Sequence, residues 1–151
     1  MKKIFFVLAL VSAAQANADI YHCEVQTSVQ GPSATDYSPW KTEASQDLDY
    51  IPGQLSKFSA TVIDNKNPIV ALGVFVNLGD KSTLECATVA GGDGNEICLS
   101  VDLLGSAKQR NYGSSAAYAA GSKILQTTQN SLLKQGKFEQ DREIKVQCSL
   151  K

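Results

Sequence analysis

Histidine is almost missing from this sequence: His22 is the only one in 151 residues. Mechanisms that pair a serine or cysteine nucleophile with histidine would all depend on that side chain. It lies on the polar side of a segment in which apolar and polar residues alternate, and an exposed histidine on a strand is ordinarily just solvated. No glycine-rich loop follows a strand and opens a helix, as phosphate binding requires. These absences predict that the chain is not an enzyme and binds no cofactor.

Long apolar runs are missing as well. The N-terminal run, residues 4–11, is far shorter than the roughly 20 residues of a transmembrane helix. Lys2 and Lys3 precede it, and Ala-Asn-Ala at 16–18 supplies the small residues that a signal peptidase reads. We therefore predict a signal peptide over residues 1–18, cleaved after Ala18, and no membrane anchor. The mature chain is expected to be periplasmic or secreted.

No excess of one charge is present either. The chain has 14 basic and 15 acidic residues in mixed order, for a formal net charge of −1. Without a basic patch, a nucleic-acid partner has no electrostatic support. Internal repeats and low-complexity linkers are absent too, so residues 19–151 are predicted to form a single domain.

What the sequence does have is an even number of cysteines, all beyond the predicted cleavage site. They are Cys23, Cys86, Cys98 and Cys148. In an exported chain, four cysteines predict two disulfides. A zinc site would need close ligand pairs such as C-x-x-C, which this spacing does not supply. We therefore expect no metal.

Strands dominate the pattern. Residues 20–29 and 143–150 alternate apolar and polar side chains, which is typical of half-buried strands. Turn residues rich in Gly, Asn and Asp separate further short apolar segments. These segments predict an antiparallel meander of four strands, 55–63, 69–78, 82–90 and 96–104.

Two segments are less regular. Residues 30–54 hold three of the four prolines and read as a long connection with one strand near 40–44. Residues 114–135 fit either a helix that ends before Gly136 or strands, because Gly121 and the paired threonines weaken a helix. The fold class is therefore all-β or mainly β, a small antiparallel barrel or sandwich with two disulfides and one optional helix near 114–135.

The alternation of apolar and polar faces along the strands indicates how the cysteines pair. Cys23 and Cys148 each lie on the apolar face of their strand, so they can meet in the core. Cys86 and Cys98 flank a glycine-rich turn, and Cys98 lies opposite the apolar face of its strand. We predict a buried 23–148 bridge and a more exposed 86–98 bridge. Loop closure gives about 5 kcal/mol for the long ring and about 3 kcal/mol for the short one.

The aromatic residues of the long connection are the candidate binding residues. Tyr37, Trp40 and Tyr50 lie among several carboxylates, a combination that can stack on sugars or anchor a protein partner. The alternative is a lid folded down on the core, with Trp40 buried. We favour the lid, and the two interpretations differ in the exposure of Trp40.

Acidic residues leave one catalytic alternative. Pairs of carboxylates hydrolyse glycosidic bonds, but no spacing among the 15 acidic residues selects one pair. The turn GGDGNE at 91–96 partly matches the pattern of a calcium-binding repeat. It occurs once, and a hairpin turn explains each of its residues.

Tyr21-His22-Cys23 on the first strand, with Cys148 on the last, resembles the frame of the periplasmic C-type lysozyme inhibitors. Those proteins are small β-barrels with a Tyr-x-Cys strand bridged to a C-terminal cysteine. Residues 114–118, SSAAY, resemble the small-residue loop of that family. This chain is longer, has a second pair of cysteines and lacks a glycine-rich inhibitory motif. The resemblance covers the two ends and one loop, and it implies inhibition of a lysozyme.

Taken together, these features predict a non-catalytic periplasmic or secreted binding protein whose partner is an envelope protein or a glycan. The first alternative is an inhibitor of a cell-wall or secreted enzyme such as a lysozyme. The second is a small hydrolase that acts through carboxylates.

Overall fold

A computed structural model describes residues 18–31, 36–64, 70–80, 95–103, 111–119, 121–135 and 138–151. The predicted signal peptide, apart from Ala18, lies outside the described residues. So do Cys86 and the whole of the strand predicted at 82–90.

Within these ranges the chain is built from eight β-strands and contains no helix. The all-β prediction is confirmed, and the helix alternative at 114–135 is wrong. The strands are β1 (Asp19–Val29), β2 (Lys41–Tyr50), β3 (Ser56–Asp64), β4 (Val70–Asp80), β5 (Asn95–Leu103), β6 (Asn111–Tyr118), β7 (Ile124–Gln135) and β8 (Phe138–Leu150).

Period-two burial explains why β7 is a strand. Leu125 and Thr127 are buried, whereas Gln126 and Thr128 are exposed, a pattern that one face of a helix cannot produce. Gly121 has a φ of 76° between β6 and β7. A side chain at that position would be strained, so the glycine serves the turn between β6 and β7.

The strands form two antiparallel sheets. The first sheet has the order β2-β1-β8-β7, and the second has the order β3-β4-β5-β6. Apolar side chains from both sheets form one buried cluster, so the architecture is a sandwich. Neither sheet closes on itself through its described strands, so the barrel alternative is not formed.

The order of the meander differs from the prediction. β4 pairs directly with β5, from Leu72↔Leu103 to Asp80↔Asn95, so no strand lies between them in the sheet. The pairing matches apolar side chains on one face, with Val76 opposite Leu99. The predicted order, with 82–90 between these strands, is therefore wrong, and β6 is the fourth strand of the meander.

β2 is longer than the strand predicted near 40–44. It pairs with β1 over its whole length, from Thr27↔Lys41 to Asp19↔Tyr50. Leu48 is its one fully buried side chain. Such a polar strand suits the edge of a sheet, and its polarity explains why an apolar pattern did not reveal it.

Side chains link the two sheets along both sides of the sandwich. The Tyr118 hydroxyl of β6 donates to the Gln126 carbonyl of β7 at 2.6 Å and accepts from the Gln126 amide at 2.9 Å. On the other side, the Ser56 hydroxyl of β3 donates to the Asp49 carbonyl of β2. These contacts occupy backbone groups that the edge strands β7 and β2 leave without a ladder partner.

The predicted bridge between the first and last strands is confirmed. Cys23 and Cys148 are directly opposed in the register of β1 and β8, and both are fully buried. They form a disulfide between residues 125 positions apart. The bridge therefore joins the two central strands of the first sheet inside the core.

The expected exposure of Cys98 is wrong, because this residue is only 3% exposed. Cys98 lies on β5, an inner strand, and is flanked in register by Asn77 and Ser115. Neighbours on both sides leave a small side chain little access to solvent. Because Asn77 and Ser115 occupy the positions opposite Cys98, the argument that Cys86 opposes it across a hairpin no longer holds. Since Cys86 lies outside the described residues, the 86–98 bridge stays a prediction.

None of the described segments is a helix long and apolar enough to cross a membrane.

Candidate functional site

Residues 36–40, which precede β2, lie alongside the end of β1. The Ser38 amide donates to the Val29 carbonyl at 2.9 Å, and the Val29 amide donates to the Ser38 hydroxyl at 3.0 Å. The Ser28 hydroxyl donates to the Ser38 carbonyl at 2.5 Å. Ser28 occupies an outward position yet is only 2% exposed. The segment therefore covers the end of β1.

Further contacts fix this segment at its start. The Gly31 amide donates to the Asp36 carbonyl at 2.6 Å, and Gln30 forms an isolated β-bridge with Tyr37. The Tyr37 side chain is 37% exposed. The backbone of 36–40 is thus held on β1 while its aromatic side chains reach solvent.

Trp40 lies over the outward face and not over the core. Its side chain is 41% exposed, and the Lys145 ammonium lies 4.5 Å from its ring centroid. A cation above an exposed aromatic ring contributes about 0.5–1 kcal/mol. The lid interpretation required a buried Trp40, so it is wrong: the Trp40 side chain lies on the outside of the sheet.

Tyr50 does not join Trp40. It ends β2, whereas Trp40 precedes its first residue, and ten residues of strand span roughly 30 Å. Tyr50 packs against the core, with its ring edge-on to Tyr21 at a centroid distance of 6.4 Å. Burial raises the pKa of Tyr50. The structure therefore exposes two of the three candidate aromatic residues, Tyr37 and Trp40, on the segment 36–40 and packs the third against the core.

Polar side chains, most of them uncharged, lie beside Trp40 on the outward face. Lys145 is opposed by Gln26 on β1 and by Thr128 on β7, and Gln26 is opposed by Thr42 on β2. One step along the strands, Gln147 is opposed by Gln126 on β7 and by the carboxylate-bearing Glu24 on β1. We call these residues the Trp40 face, which comprises Trp40, Lys145, Gln26, Thr42, Gln126, Thr128 and Gln147.

A charged cluster occupies the far end of the same sheet. The His22 Nδ1 and Asp47 Oδ1 atoms are 2.7 Å apart, and the Lys151 ammonium donates to the other carboxylate oxygen. The hydrogen bond from Lys151, and then that from His22, lower the pKa of Asp47. An ionised carboxylate only accepts, so Nδ1 of His22 carries the donated proton.

This cluster has one feature of a hydrolytic site and lacks another. Ser149 is opposite His22 in the register of β1 and β8, so a serine, a histidine and an aspartate lie side by side on three strands. Among the described residues, however, no hydrogen bond joins the Ser149 hydroxyl to His22. The serine and the histidine therefore do not form a hydrogen-bonded pair of nucleophile and base. The three residues belong to a surface on which ion pairs join the charged side chains.

No group of three or more potential metal ligands is found in the described part of the chain. A scan against protein-family models finds no match, and a comparison with curated proteins finds no significantly similar relative.

Proposed function

We propose that this protein is an exported, non-catalytic binding domain and that it binds its partner through the Trp40 face. The observation that carries the proposal is the position of Trp40, the single tryptophan of the chain. It is exposed outside the sandwich on a segment that hydrogen bonds hold in place. Tryptophan and tyrosine are enriched among the residues that dominate binding energy.

Pre-organisation supports the same proposal. A binding residue on a mobile loop loses conformational entropy when the partner binds. Three hydrogen bonds between Ser38 and its neighbours on β1, and the contact of Lys145 with the indole ring, limit that loss for Trp40. The segment that carries the ring is therefore held in place before any partner arrives.

The proposed location is the periplasm or the outside of the cell. The N-terminal pattern predicts export, and the Cys23–Cys148 disulfide is consistent with an oxidising compartment. The partner would therefore be an envelope protein or a glycan.

An envelope capture experiment tests the proposal. Immobilised mature domain is mixed with a solubilised envelope fraction, and the retained material is analysed by mass spectrometry and sugar analysis. We expect Trp40→Ala to lose the captured component while it melts as a folded protein. Phe75→Ala is the matched control, because Phe75 is equally exposed, at 42%, on the second sheet. Capture that survives in W40A, or fails in F75A, would contradict the proposal.

Two assays separate the alternatives. If the domain inhibits a lysozyme, stoichiometric amounts slow lysis of a peptidoglycan suspension. If it is a carboxylate-dependent hydrolase, the purified domain alone releases reducing sugars from peptidoglycan or other glycans. The proposed binding role predicts that neither effect is seen. A positive result in either assay would replace it with that alternative.

A further inference from the structure

We propose that the ligand of the Trp40 face is an uncharged glycan chain lying along the strands of the first sheet. This inference rests on the proposed function and specifies the class of ligand. It follows from the geometry of the Trp40 ring, the chemistry of the neighbouring side chains and the partners that their charged groups already have.

The ring of Trp40 offers one face to a ligand. Lys145 rises from β8 beneath the ring, with its ammonium 4.5 Å from the centroid, so one face of the indole is turned toward the sheet. Because the residue as a whole is 41% exposed, the face of the indole opposite Lys145 is the one available to a ligand. A flat apolar face of this kind is what the C–H groups of a pyranose ring stack on.

The polar side chains next to the ring suit hydroxyl groups. Gln26, Gln126 and Gln147 carry amides, each of which offers both donors and acceptors. Their strands are about 4.8 Å apart, and successive outward positions along a strand are about 6.8 Å apart. A sugar stacked on Trp40 would thus place the next residue of the chain over the Gln147 and Gln126 pair.

The charged groups of this sheet already have partners, and Glu24, whose partner is an uncharged amide, keeps a carboxylate beside Gln147. The Gln26 amide donates to the Glu24 carboxylate at 3.0 Å, and Asp47 accepts from Lys151 and His22. Lys145 lies on the Trp40 ring. An acidic polymer would need cations that are not already engaged, whereas a neutral polyhydroxyl ligand needs none. The electrostatics of the face therefore favour an uncharged glycan.

A protein partner fits this face less well. The centre of a protein interface combines several aromatic or aliphatic side chains. Around Lys145, by contrast, the register places amides, hydroxyls and the carboxylate of Glu143. The exposed residues Ile20 and Ile124 belong to the other end of the sheet, near His22. We therefore treat a protein ligand as an outcome of the test.

The fluorescence of the single tryptophan reports on this surface directly. The mature domain is titrated with the neutral tetrasaccharides of β-1,4-linked N-acetylglucosamine, β-1,4-linked glucose and α-1,4-linked glucose. A tetramer of galacturonic acid is the anionic probe. We expect a saturable change with at least one neutral probe and weaker or no binding of the anionic one.

Variants then locate the ligand on the face. Gln147→Ala and Gln26→Ala should each weaken binding by about two- to tenfold, the effect of one lost hydrogen bond. Thr61→Ala, an exposed position on the second sheet, is the control and should leave binding unchanged. Trp40→Ala, followed by calorimetry, should weaken binding more than about tenfold.

Three results would overturn the proposal: no saturable change with any neutral tetramer, tighter binding of the galacturonic acid tetramer, or equal losses in T61A and Q147A. Failure here does not imply failure of the proposed function. If the capture experiment retains an envelope protein on the wild type and not on W40A, the Trp40 face is still a binding surface and its ligand is a protein.

Discussion

Trp40 illustrates how the environment of one residue sets both its energetic and its functional role. A tryptophan in the core removes a large apolar surface from water, whereas Trp40 keeps 41% of its surface exposed. Its identified ring partner is the Lys145 ammonium. Trp40 therefore adds little to the free energy of unfolding. Its replacement is expected to affect binding much more than stability.

The stability of Trp40→Ala follows from this position. We expect the free energy of unfolding to fall by about 1 kcal/mol, the size of an exposed cation–π contact. Truncation of a buried tryptophan costs about 3–5 kcal/mol. Urea unfolding of the wild type and the variant measures the difference. A loss in the larger range would show that Trp40 is part of the core.

Asp47 gives a prediction about pH. Its pKa is lowered from 3.8, first by Lys151 and then by His22, so folding favours the ionised form. The stabilisation is fully present above the ordinary pKa and is lost as the pH falls through the lower folded value. Carboxyl NMR titration should give a midpoint below 3.8.

Two variants assign the cause of that shift. Lys151→Ala should raise the pKa of Asp47 more than His22→Gln does, because the hydrogen bond from Lys151 has the larger effect. The reverse order, or an ordinary pKa in the wild type, would contradict the observed pairing.

At the scale of elements, the sequence correctly predicted the features that depend on the local alternation of apolar and polar residues. β1 and β8 were evident from period two, and the inward positions of Cys23 and Cys148 followed from it. The direct pairing of β4 with β5 was missed, because a local pattern does not state which strands are neighbours. β2 was largely missed, because an edge strand with one fully buried side chain has no apolar alternation.

For the candidate site, too, the sequence indicated the local pattern but not which residues come together. The sequence placed Lys145 and Gln147 on the polar face of the last strand and Gln26 on that of the first. It did not indicate that Trp40 lies over Lys145, because that contact depends on the path of residues 36–40 alongside β1. Tyr50 was grouped with Trp40 by proximity in sequence, and the length of β2 separates them.

Substitution of Tyr118 tests how the edge strands of the sandwich are protected. Its hydroxyl bonds both backbone groups of Gln126, so Tyr118→Phe should lower the free energy of unfolding by about 1 kcal/mol. Gln126→Ala is the matched control, because it keeps the backbone groups and should have little effect. Chemical denaturation measures both, and equal stabilities of Y118F and wild type would argue against this role for the hydroxyl.

At the scale of the whole molecule, one covalent bond ties the beginning of the fold to its end. Cys23 and Cys148 are fully buried in the core, and the bridge joins the two strands at the centre of the first sheet. The ring it closes is long, so the bridge greatly restricts the unfolded chain.

Removal of this bridge should have a large effect. The double variant Cys23→Ala/Cys148→Ala is expected to lose about 5 kcal/mol of unfolding free energy in the chain-entropy model. The native protein should also resist mild reductant, because an attacking thiolate cannot reach buried sulfur. Thiol labelling with and without urea, read by mass spectrometry, checks this. Rapid reduction of the 23–148 bridge in the native state would contradict its burial.

The central claim is that the outward side of the first sheet, at Trp40, is the surface that meets the partner. Hydroxyl-radical footprinting of the mature domain, free and mixed with an isolated envelope fraction, tests it without knowledge of the ligand. We predict that oxidation of Trp40 and Tyr37 falls in the mixture while oxidation of Phe75 on the second sheet is unchanged. Protection of Phe75 with undiminished oxidation of Trp40 would contradict the claim.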